Sequence, residues 1–473
     1  MKNENVLAYF REISKIPRVS HHCEKIADYL ESFAKERGLF CRRDGANNVI
    51  IVKPAAAGRE NDAAVMLQGH VDMVGEKLSE SVHDFLRDPI TLIEEGDTLR
   101  ADGTTLGGDD GAAVAIMLAL LDDKTLCAPR LECVFTTDEE VGMLGADVID
   151  LDGMQAKYLI NADSEDEGVF TCGCCGGTSL DFTIPVSRTA AVSKDDCIAV
   201  ALTGLKGGHS GTEINNGRLN AIKLLAELLE PECGIISIER DGKDNAIPQR
   251  CDAVISASKD AVLKNFVRLR EEWSHTEPDI ALEIFPAADL SPEALPSSVC
   301  PMTAESAGRV LTFLREVPFG VRKMCTEPAG LVHTSDNIGI LKTDSDTVSG
   351  TLSVRSVSAE DKDALCKEIE ELCGTAGGST VSHGNYPGWE YREDSVLRRV
   401  MCEVWEDMYG TAPKIDVIHA GLECGVILSK MPGLDIVSIG PELHDIHTAH
   451  ESMSISSLGR CADFIVRVLE VIK

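Results

Sequence analysis

Three short apolar runs between residues 64 and 160 are followed closely by side chains that can bind a metal ion. Runs of this kind, alternating with helical periodicity, are typical of buried strands in an α/β sheet that helices cover on both faces. Open α/β sheets carry their sites at the ends of such strands. The runs at 64–67, 131–135 and 158–160 precede the motifs QGHVD (68–72), TTDEEVG (136–142) and NAD (161–163), and helical patterns lie at 24–37 and 112–121.

The adjacent carboxylates Glu139 and Glu140 come just after one of these predicted strands. Removing two such charges from water is costly unless something positive meets them, and a divalent metal ion is the simplest answer. Two neighbouring glutamates also allow a division of labour, in which one binds metal and the other transfers protons. This pair is therefore the first candidate for a catalytic site.

Composition limits the class of protein. At 473 residues the chain is long enough for two or three domains, and 44% hydrophobic residues are ample for packed cores. A formal net charge of −33 argues against binding nucleic acid or an acidic membrane surface. The amino terminus lacks the pattern of a signal peptide, and no run approaches the length of a membrane helix. We therefore expect a soluble cytoplasmic protein.

The cysteine content agrees with that expectation. An odd count of 17 without a secretory signal favours free thiols. The cluster CGCCGG at 172–177 could suggest a soft-metal site, but a structural zinc site usually has a second ligand pair, and none matches here. We interpret the cluster as small apolar residues in a tight glycine-rich turn.

Two polar segments divide the chain. Residues 187–196 and 383–389 are linker-like, and the second precedes a helical pattern at 396–409 and a strand-like run at 435–439. Ligand-type residues lie before the first segment and after the second. The simplest architecture is a catalytic domain in two parts, 1–186 and 385–473, interrupted by an inserted domain at 187–384.

Five segments contribute candidate ligands. Singly, each has an ordinary interpretation: a hydrogen-bonded core histidine, a helix N-cap or a solvated helix start. Imidazole and carboxylate without thiolate suit zinc, with manganese or cobalt as alternatives. Five ligands exceed what one tetrahedral zinc needs, so two ions that share one carboxylate are more economical. The candidates are His70, Asp109 with Asp110, Glu139 with Glu140, Asp163, and His447 with His450.

Together these motifs resemble the co-catalytic zinc aminoacylase/carboxypeptidase-like metallopeptidase family. More closely, the chain is similar to the aminoacyl-histidine dipeptidases, also called Xaa-His or cytosol non-specific dipeptidases. The resemblance implies an α/β fold: a mixed-sheet zinc-peptidase catalytic domain with an inserted α+β lid domain. The further motifs that carry it, in the order of the family, are TTLGGDDG (104–111), NADSE (161–165), LKGGHSG (205–211), NAIP (245–248) and HAGLECG (419–425).

The resemblance also implies roles for single residues. The metal ligands would be His70, Asp109, Glu140, Asp163 and His447, with Asp109 bridging two divalent ions. Relatives commonly read GADNG where this chain has GGDDG, so Asp109 rather than Asp110 has the constant counterpart. The family motif HSPDE aligns with residues 447–451, which leaves His450 out of the ligand set. Glu139 would be the general base, and Asp72 would orient the imidazole of His70.

In the inserted domain the resemblance points to substrate contacts. His209, in a glycine-rich turn, would polarise the scissile carbonyl; its ordinary interpretation is a turn histidine. Arg355 would grip a terminal carboxylate, for which a planar guanidinium is suited, and Asn337 would assist. A surface salt bridge is the alternative for Arg355.

The predicted function is hydrolysis of dipeptides, including Xaa-His substrates, by metal-activated water. A tripeptidase, a carboxypeptidase or an N-acyl-amino-acid amidohydrolase on the same scaffold remains an alternative, as does an inactive metal-binding interaction protein. The expected partner is the dipeptide substrate, with no nucleic acid and no membrane. A monomer and a homodimer stay open, and so does whether His209 serves its own site or that of a partner.

Overall fold

The computed structural model describes residues 3–291, 293–326 and 330–473, and the chain divides into two compact units. The first unit holds the chain up to Cys174, with Trp389–Val417 and Leu422–Lys473; the second holds Cys175–Gly388 and Ile418–Gly421. The predicted domain limits at 186 and 384 stay a prediction, because the division into two compact units does not test them.

A mixed sheet forms the centre of the first unit. Its middle strand, Ala64–His70, is buried throughout and runs parallel to both neighbours, Leu131–Thr136 and Ala156–Asn161. The predicted α/β class with a mixed sheet is thereby confirmed. Among the described residues the sheet has eight strands, in the order Phe40–Arg43, Val49–Lys53, Leu131–Thr136, Ala64–His70, Ala156–Asn161, Asp435–Ser438, Val169–Cys174 and Lys414–Ile418.

The parallel register decides where the candidate ligands go. His70 pairs with Thr136, and Gln68 pairs with Asn161, so three strands end at the same edge of the sheet. The residues that follow those ends are the polar motifs of the sequence. A parallel sheet therefore gathers segments that lie far apart in the chain.

The helix Gly108–Asp122 packs closely on the middle strand. A Cβ atom at Gly69 would lie 2.5 Å from the Cβ of Ala113, so only glycine allows this approach. The helix is apolar on all sides and almost wholly buried, as predicted for 112–121. The other helices of this unit are Asn3–Ile13, Glu24–Glu36, Leu144–Val148, Val396–Tyr409, Glu423–Lys430 and Ile455–Val471, and a small sheet holds Leu92–Glu95, Thr98–Ala101, Leu443–His444 and Ser452–Ser454.

The second unit is an α+β structure with its own apolar core. One antiparallel sheet has the order Gly320–Met324, Val332–Thr343, Thr347–Ser356, Gly176–Pro185, Ser379–Tyr386, and another has the order Ile235–Glu239, Cys251–Ile255, Ile198–Thr203, Ala281–Pro286. Two short strand pairs join Val192–Ser193 to Ser298–Val299 and Gly208–His209 to Ala246–Ile247. The α-helices are Ala221–Leu228, Lys259–Trp273, Ala304–Glu316 and Ala359–Thr375.

Two local expectations are wrong. The segment at 383–389 is not simply a linker, because its first half completes the edge strand Ser379–Tyr386, whose side chains are mostly exposed and therefore polar. The cysteines at 172–175 lie mainly in the buried strand Val169–Cys174 rather than in a tight turn. No helix in the described part of the chain is long and apolar enough to cross a membrane.

Candidate active site

Asp109 lies at the centre of the candidate site in the first unit. One carboxylate oxygen, Oδ1, is 3.0 Å from Nε2 of His70, and the other, Oδ2, is 3.0 Å from Nε2 of His447. Nε2 of His70 also lies 3.6 Å from Oδ1 of Asp163, and Nε2 of His447 lies 2.9 Å from Oε2 of Glu140. The five predicted ligands therefore come together as two groups that share Asp109.

Asp72 holds the surroundings of His70 in place. Nδ1 of His70 lies 3.1 Å from the Asp72 carbonyl oxygen and 3.5 Å from its Oδ1. The carboxylate of Asp72 also accepts the backbone N–H groups of Glu139 and Glu140, at 3.1 and 3.4 Å. Nδ1, on the side of the imidazole that faces away from Asp109, is therefore bound by the Asp72 carbonyl oxygen, and the orienting role of the Asp72 carboxylate stays a prediction.

Asp110 has a different environment from Asp109. The peptide bond between them is cis. Asp110 is buried, and its carboxylate accepts the backbone N–H groups of His70 and Ala113, both at 3.2 Å. It thus caps the helix that follows and supports the strand end. Its oxygens also lie close enough to His70 and Asp163 to form a group that could hold a metal ion, beside the group of His70, Asp109 and Glu140.

The buried carboxylates of this cluster favour the binding of positive charge. Burial raises the pKa of Glu139 well above its usual range, and it raises the pKa of Asp163 to about 6. Hydrogen bonds to Asp109 and Glu140 raise the pKa of His447 to about 11. Oε1 of Glu140 is buried and has no hydrogen-bond partner among the described residues. A dense set of carboxylates with an unpaired buried oxygen fits divalent cations.

The segment that carries His447 also supplies a buried carboxylate. Glu451 accepts backbone N–H groups from Leu106, Gly107, Gly108 and Asp109, at 2.8, 3.0, 2.7 and 3.3 Å. It therefore fixes the loop that positions the shared aspartate. His450, by contrast, has an exposed side chain.

His209 has a defined tautomer in the second unit. Its Nδ1 accepts the backbone N–H groups of Gly211 and Thr212, at 3.1 and 3.2 Å. A neutral imidazole in that arrangement carries its proton on Nε2, which is then a hydrogen-bond donor. Burial and the charge of Arg355 both lower the pKa of His209, which favours the neutral form.

Arg355 is a buried cation in the same unit. Its Nη1 donates to the hydroxyl oxygen of Tyr386 at 2.9 Å, while its Nε is buried and has no hydrogen-bond partner in the described part of the chain. His419 is also buried, with Nε2 at 2.6 Å from Oγ of Ser335, and burial with the Arg355 charge lowers its pKa to about 3. These residues form a polar cluster around one guanidinium.

Asn337 uses its side chain within the second unit. Its Nδ2 donates to the carbonyl oxygens of Asp244 and Ala246, both at 3.0 Å, and its Oδ1 accepts from Asn220 at 3.2 Å. Ala246 pairs with His209 in a short antiparallel bridge. The structure therefore gives Asn337 a supporting contact beside His209, and a direct contact with substrate stays a prediction.

Comparisons with known proteins identify the family. The model of the family described as "Peptidase family M20/M25/M40" matches residues 66–471, most of the chain. The chain belongs to this peptidase family. Membership of this family makes the M20 peptidase a hydrolase of peptide bonds. The family resemblance that its sequence motifs indicate is confirmed.

Individual relatives are similar over nearly the whole chain. A cytosol non-specific dipeptidase of Escherichia coli K12 is 35% identical over 475 residues, covering 98% of this chain and 96% of the relative. The structure of an aminoacylhistidine dipeptidase from Vibrio alginolyticus matches with a TM-score of 0.89 and 33% identity, over 99% of this chain and 96% of that one. The aminopeptidase PepT of Bacillus cereus, at 16% identity and a TM-score of 0.62 over 99% and 98% of the two chains, shares the fold.

Sequence reasoning missed several residues of this M20 peptidase that support the site. Arg18 and Glu451 act on the backbone of the ligand loops, and Glu423 accepts hydrogen bonds from Gln68 and Thr136 beneath them. Contacts to backbone groups leave no spacing pattern in a sequence. Glu423 and Glu451 do lie inside the family motifs at 419–425 and 447–451, and this position is the only sign in the sequence that they belong to the site.

Proposed function

We propose that this M20 peptidase is a di-metal dipeptidase that acts on dipeptides, including Xaa-His substrates. The observation that carries the proposal is the position of Asp109, whose two carboxylate oxygens each face a different histidine. A carboxylate in this position can be shared by two ions. The names of the two similar dipeptidases support the substrate class.

The residues fit a pair of divalent ions, with zinc favoured and manganese or cobalt as alternatives. His70, Asp109 and Asp163 would hold one ion, and His447, Asp109 and Glu140 the other. Bound there, the ions would lower the pKa of a shared water and polarise the peptide carbonyl. Their charge would also offset the burial that raises the pKa of Glu139.

Glu139 is the proposed general base. Its carboxylate takes a proton from the attacking water, and it returns that proton to the amine that leaves when the peptide bond breaks. Asp72 accepts the backbone N–H of Glu139 and thereby limits where the glutamate can turn. Glu140, whose Oε2 faces His447, is the proposed ligand of the pair.

Two residues of the second unit have local geometry that suits substrate contacts. His209, with its proton on Nε2, suits donation to a carbonyl oxygen as negative charge develops there. Nε of Arg355 has no hydrogen-bond partner within the described ranges, and its guanidinium suits a carboxylate, which would restrict cleavage to very short peptides. We propose these roles together with the assignment of 187–384 as a lid domain.

The location and assembly are also proposals. The name of the Escherichia coli relative supports a cytoplasmic location, and a homodimer remains open beside a monomer.

A substrate panel on metal-defined enzyme tests the proposed function. Chelator-treated protein, reloaded with zinc, manganese or cobalt, is assayed with dipeptides that include Xaa-His, with matched tripeptides, and with N-acyl amino acids. We expect metal-dependent cleavage of dipeptides and little cleavage of blocked substrates. Faster turnover of tripeptides or N-acyl amino acids would replace the proposed substrate class, and no turnover with any metal would favour a binding protein.

A further inference from the structure

Arg18 lies outside the segment that the family model matches, and it is almost fully buried beside the candidate metal ligands. Its Nη1 donates to the carbonyl oxygens of Val71 and Asp72, at 2.8 and 3.1 Å. Its Nη2 donates to the carbonyl oxygen of Gly107 at 2.6 Å. One guanidinium thus joins the two segments that present His70 and Asp109.

The chain makes room for this guanidinium with glycine. A Cβ atom at Gly107 or at Gly111 would lie 2.6 Å from Nη2 of Arg18. Gly107 also has φ +69°, which glycine adopts without strain. The first and the last glycine of the GGDDG motif are therefore explained in part by Arg18.

Charge supports the same arrangement. A buried guanidinium is costly unless its donors are satisfied and negative groups are near. Three backbone carbonyl oxygens accept hydrogen bonds from the Arg18 guanidinium, and the carboxylates of Glu451 and Asp72 stabilise its positive charge. Glu451 in turn holds the amide side of the loop at 106–109, while Arg18 holds its carbonyl side at Gly107.

The next residues continue the support. Oγ of Ser20 donates to Oδ2 of Asp72 at 2.9 Å, and the backbone N–H of His21 donates to Oδ1 of Asp138 at 2.6 Å. Asp138 directly precedes the Glu139-Glu140 pair. The segment 18–21 therefore contacts the chain next to most of the candidate ligands.

We propose that Arg18 is a positioning residue for the metal centre, which sets the separation of His70 from Asp109 by binding the backbone of both loops. The inference rests on the proposed metal-dependent function. A supporting residue of this kind typically changes metal affinity by about 10- to 100-fold when it is removed. Arg18 touches neither the ions nor the substrate in this proposal.

The test compares zinc affinity with stability in the full chain. Wild type, Arg18→Met, Arg18→Lys and Gly111→Ala are stripped of metal and titrated with zinc by calorimetry, and urea unfolding of the metal-free forms is measured in parallel. The matched control is Arg188→Met in the second unit. Arg188 also donates to backbone carbonyls, those of Ile236, Cys300, Asp344 and Ser345, but it lies on no candidate ligand loop.

We expect both methionine variants to lower the stability of the metal-free protein, and only Arg18→Met to weaken zinc binding, by about 10- to 100-fold. Lysine should restore part of the affinity because it keeps the charge without the planar fork. Gly111→Ala should weaken binding with Arg18 still present.

Four results separate the claims. Wild-type affinity in Arg18→Met, or an equal loss in Arg188→Met, would overturn the role of Arg18. If Arg18→Met does not fold, wild-type affinity in Arg18→Lys and Gly111→Ala would overturn it. If wild type binds no zinc, the proposed metal centre fails first.

Discussion

Glu139 and Glu140 are neighbours in sequence with different surroundings. Oε2 of Glu140 faces His447, whereas burial and nearby carboxylates raise the pKa of Glu139. Their backbone N–H groups both donate to the carboxylate of Asp72, so the same side chain holds the backbone of both glutamates. This difference at the residue scale supports one role in metal binding and another in proton transfer.

Replacing Glu139 by alanine tests that division. We expect Glu139→Ala to lower kcat by about 10²- to 10⁴-fold, the usual contribution of a general base, while zinc binding is retained. Steady-state kinetics and metal analysis measure the two effects. The control is Glu132→Gln, because Glu132 is buried on the same run of chain but accepts from Gln155 and Ala156 instead. Substantial residual turnover in Glu139→Ala would remove it as the base.

A second prediction concerns His419 and pH. Its folded-state pKa is lowered to about 3, whereas an unfolded histidine titrates near its ordinary value of about 6.5. Between these values the unfolded chain binds a proton that the folded chain does not, so the free energy of unfolding falls as the pH falls. One such group contributes a slope of about 1.4 kcal/mol per pH unit.

We therefore expect His419→Gln to reduce the slope of unfolding free energy against pH between pH 6 and pH 4. Urea unfolding at several pH values measures it. His275→Gln, at an exposed histidine of the same unit, should leave the slope unchanged. An unchanged slope in His419→Gln would contradict the buried neutral state of this histidine.

At the scale of elements, the strand Ala64–His70 and the helix Gly108–Asp122 depend on one glycine. A side chain at Gly69 would meet Oδ2 of Asp110 and the Cβ of Ala113. Gly69→Ala should therefore cost about 1–3 kcal/mol of stability through overpacking, measured by urea unfolding. Gly45→Ala is the control, since a Cβ there meets no atom within 4 Å. Equal stability of the two variants would contradict the close packing.

Elements with strong periodicity were predictable, and polar ones were not. The helix Val396–Tyr409 has the bounds expected from its apolar spacing, and the strand Asp435–Ser438 lies within the predicted run. The sequence pattern predicts a linker over part of the edge strand Ser379–Tyr386, because the exposed side chains of this strand carry no apolar alternation. Burial leaves a pattern in the sequence, whereas pairing at a sheet edge does not.

The candidate site shows the same limit. The motifs and the family resemblance indicated which side chains could bind metal, and the parallel register explains why they meet. The contacts of Arg18 and Glu451 could not be predicted, because each binds backbone groups of segments distant in sequence. A residue that binds backbone groups rather than a particular side chain leaves no motif in the nearby sequence.

At the scale of the whole molecule, an acidic chain with a formal net charge of −33 concentrates carboxylates where one sheet ends. Two ions would offset part of that local charge. The family membership accounts for peptide hydrolysis, and the arrangement around Asp109 accounts for the proposed number of ions.

The number of zinc ions bound per chain tests this account most directly. Native mass spectrometry of wild type and Asp109→Ala at the same zinc concentration gives the count, and the difference between them removes zinc held by free thiols. We predict two more ions on wild type than on Asp109→Ala, or one more if a single half-site survives. Equal counts in the two proteins would contradict a centre that shares Asp109.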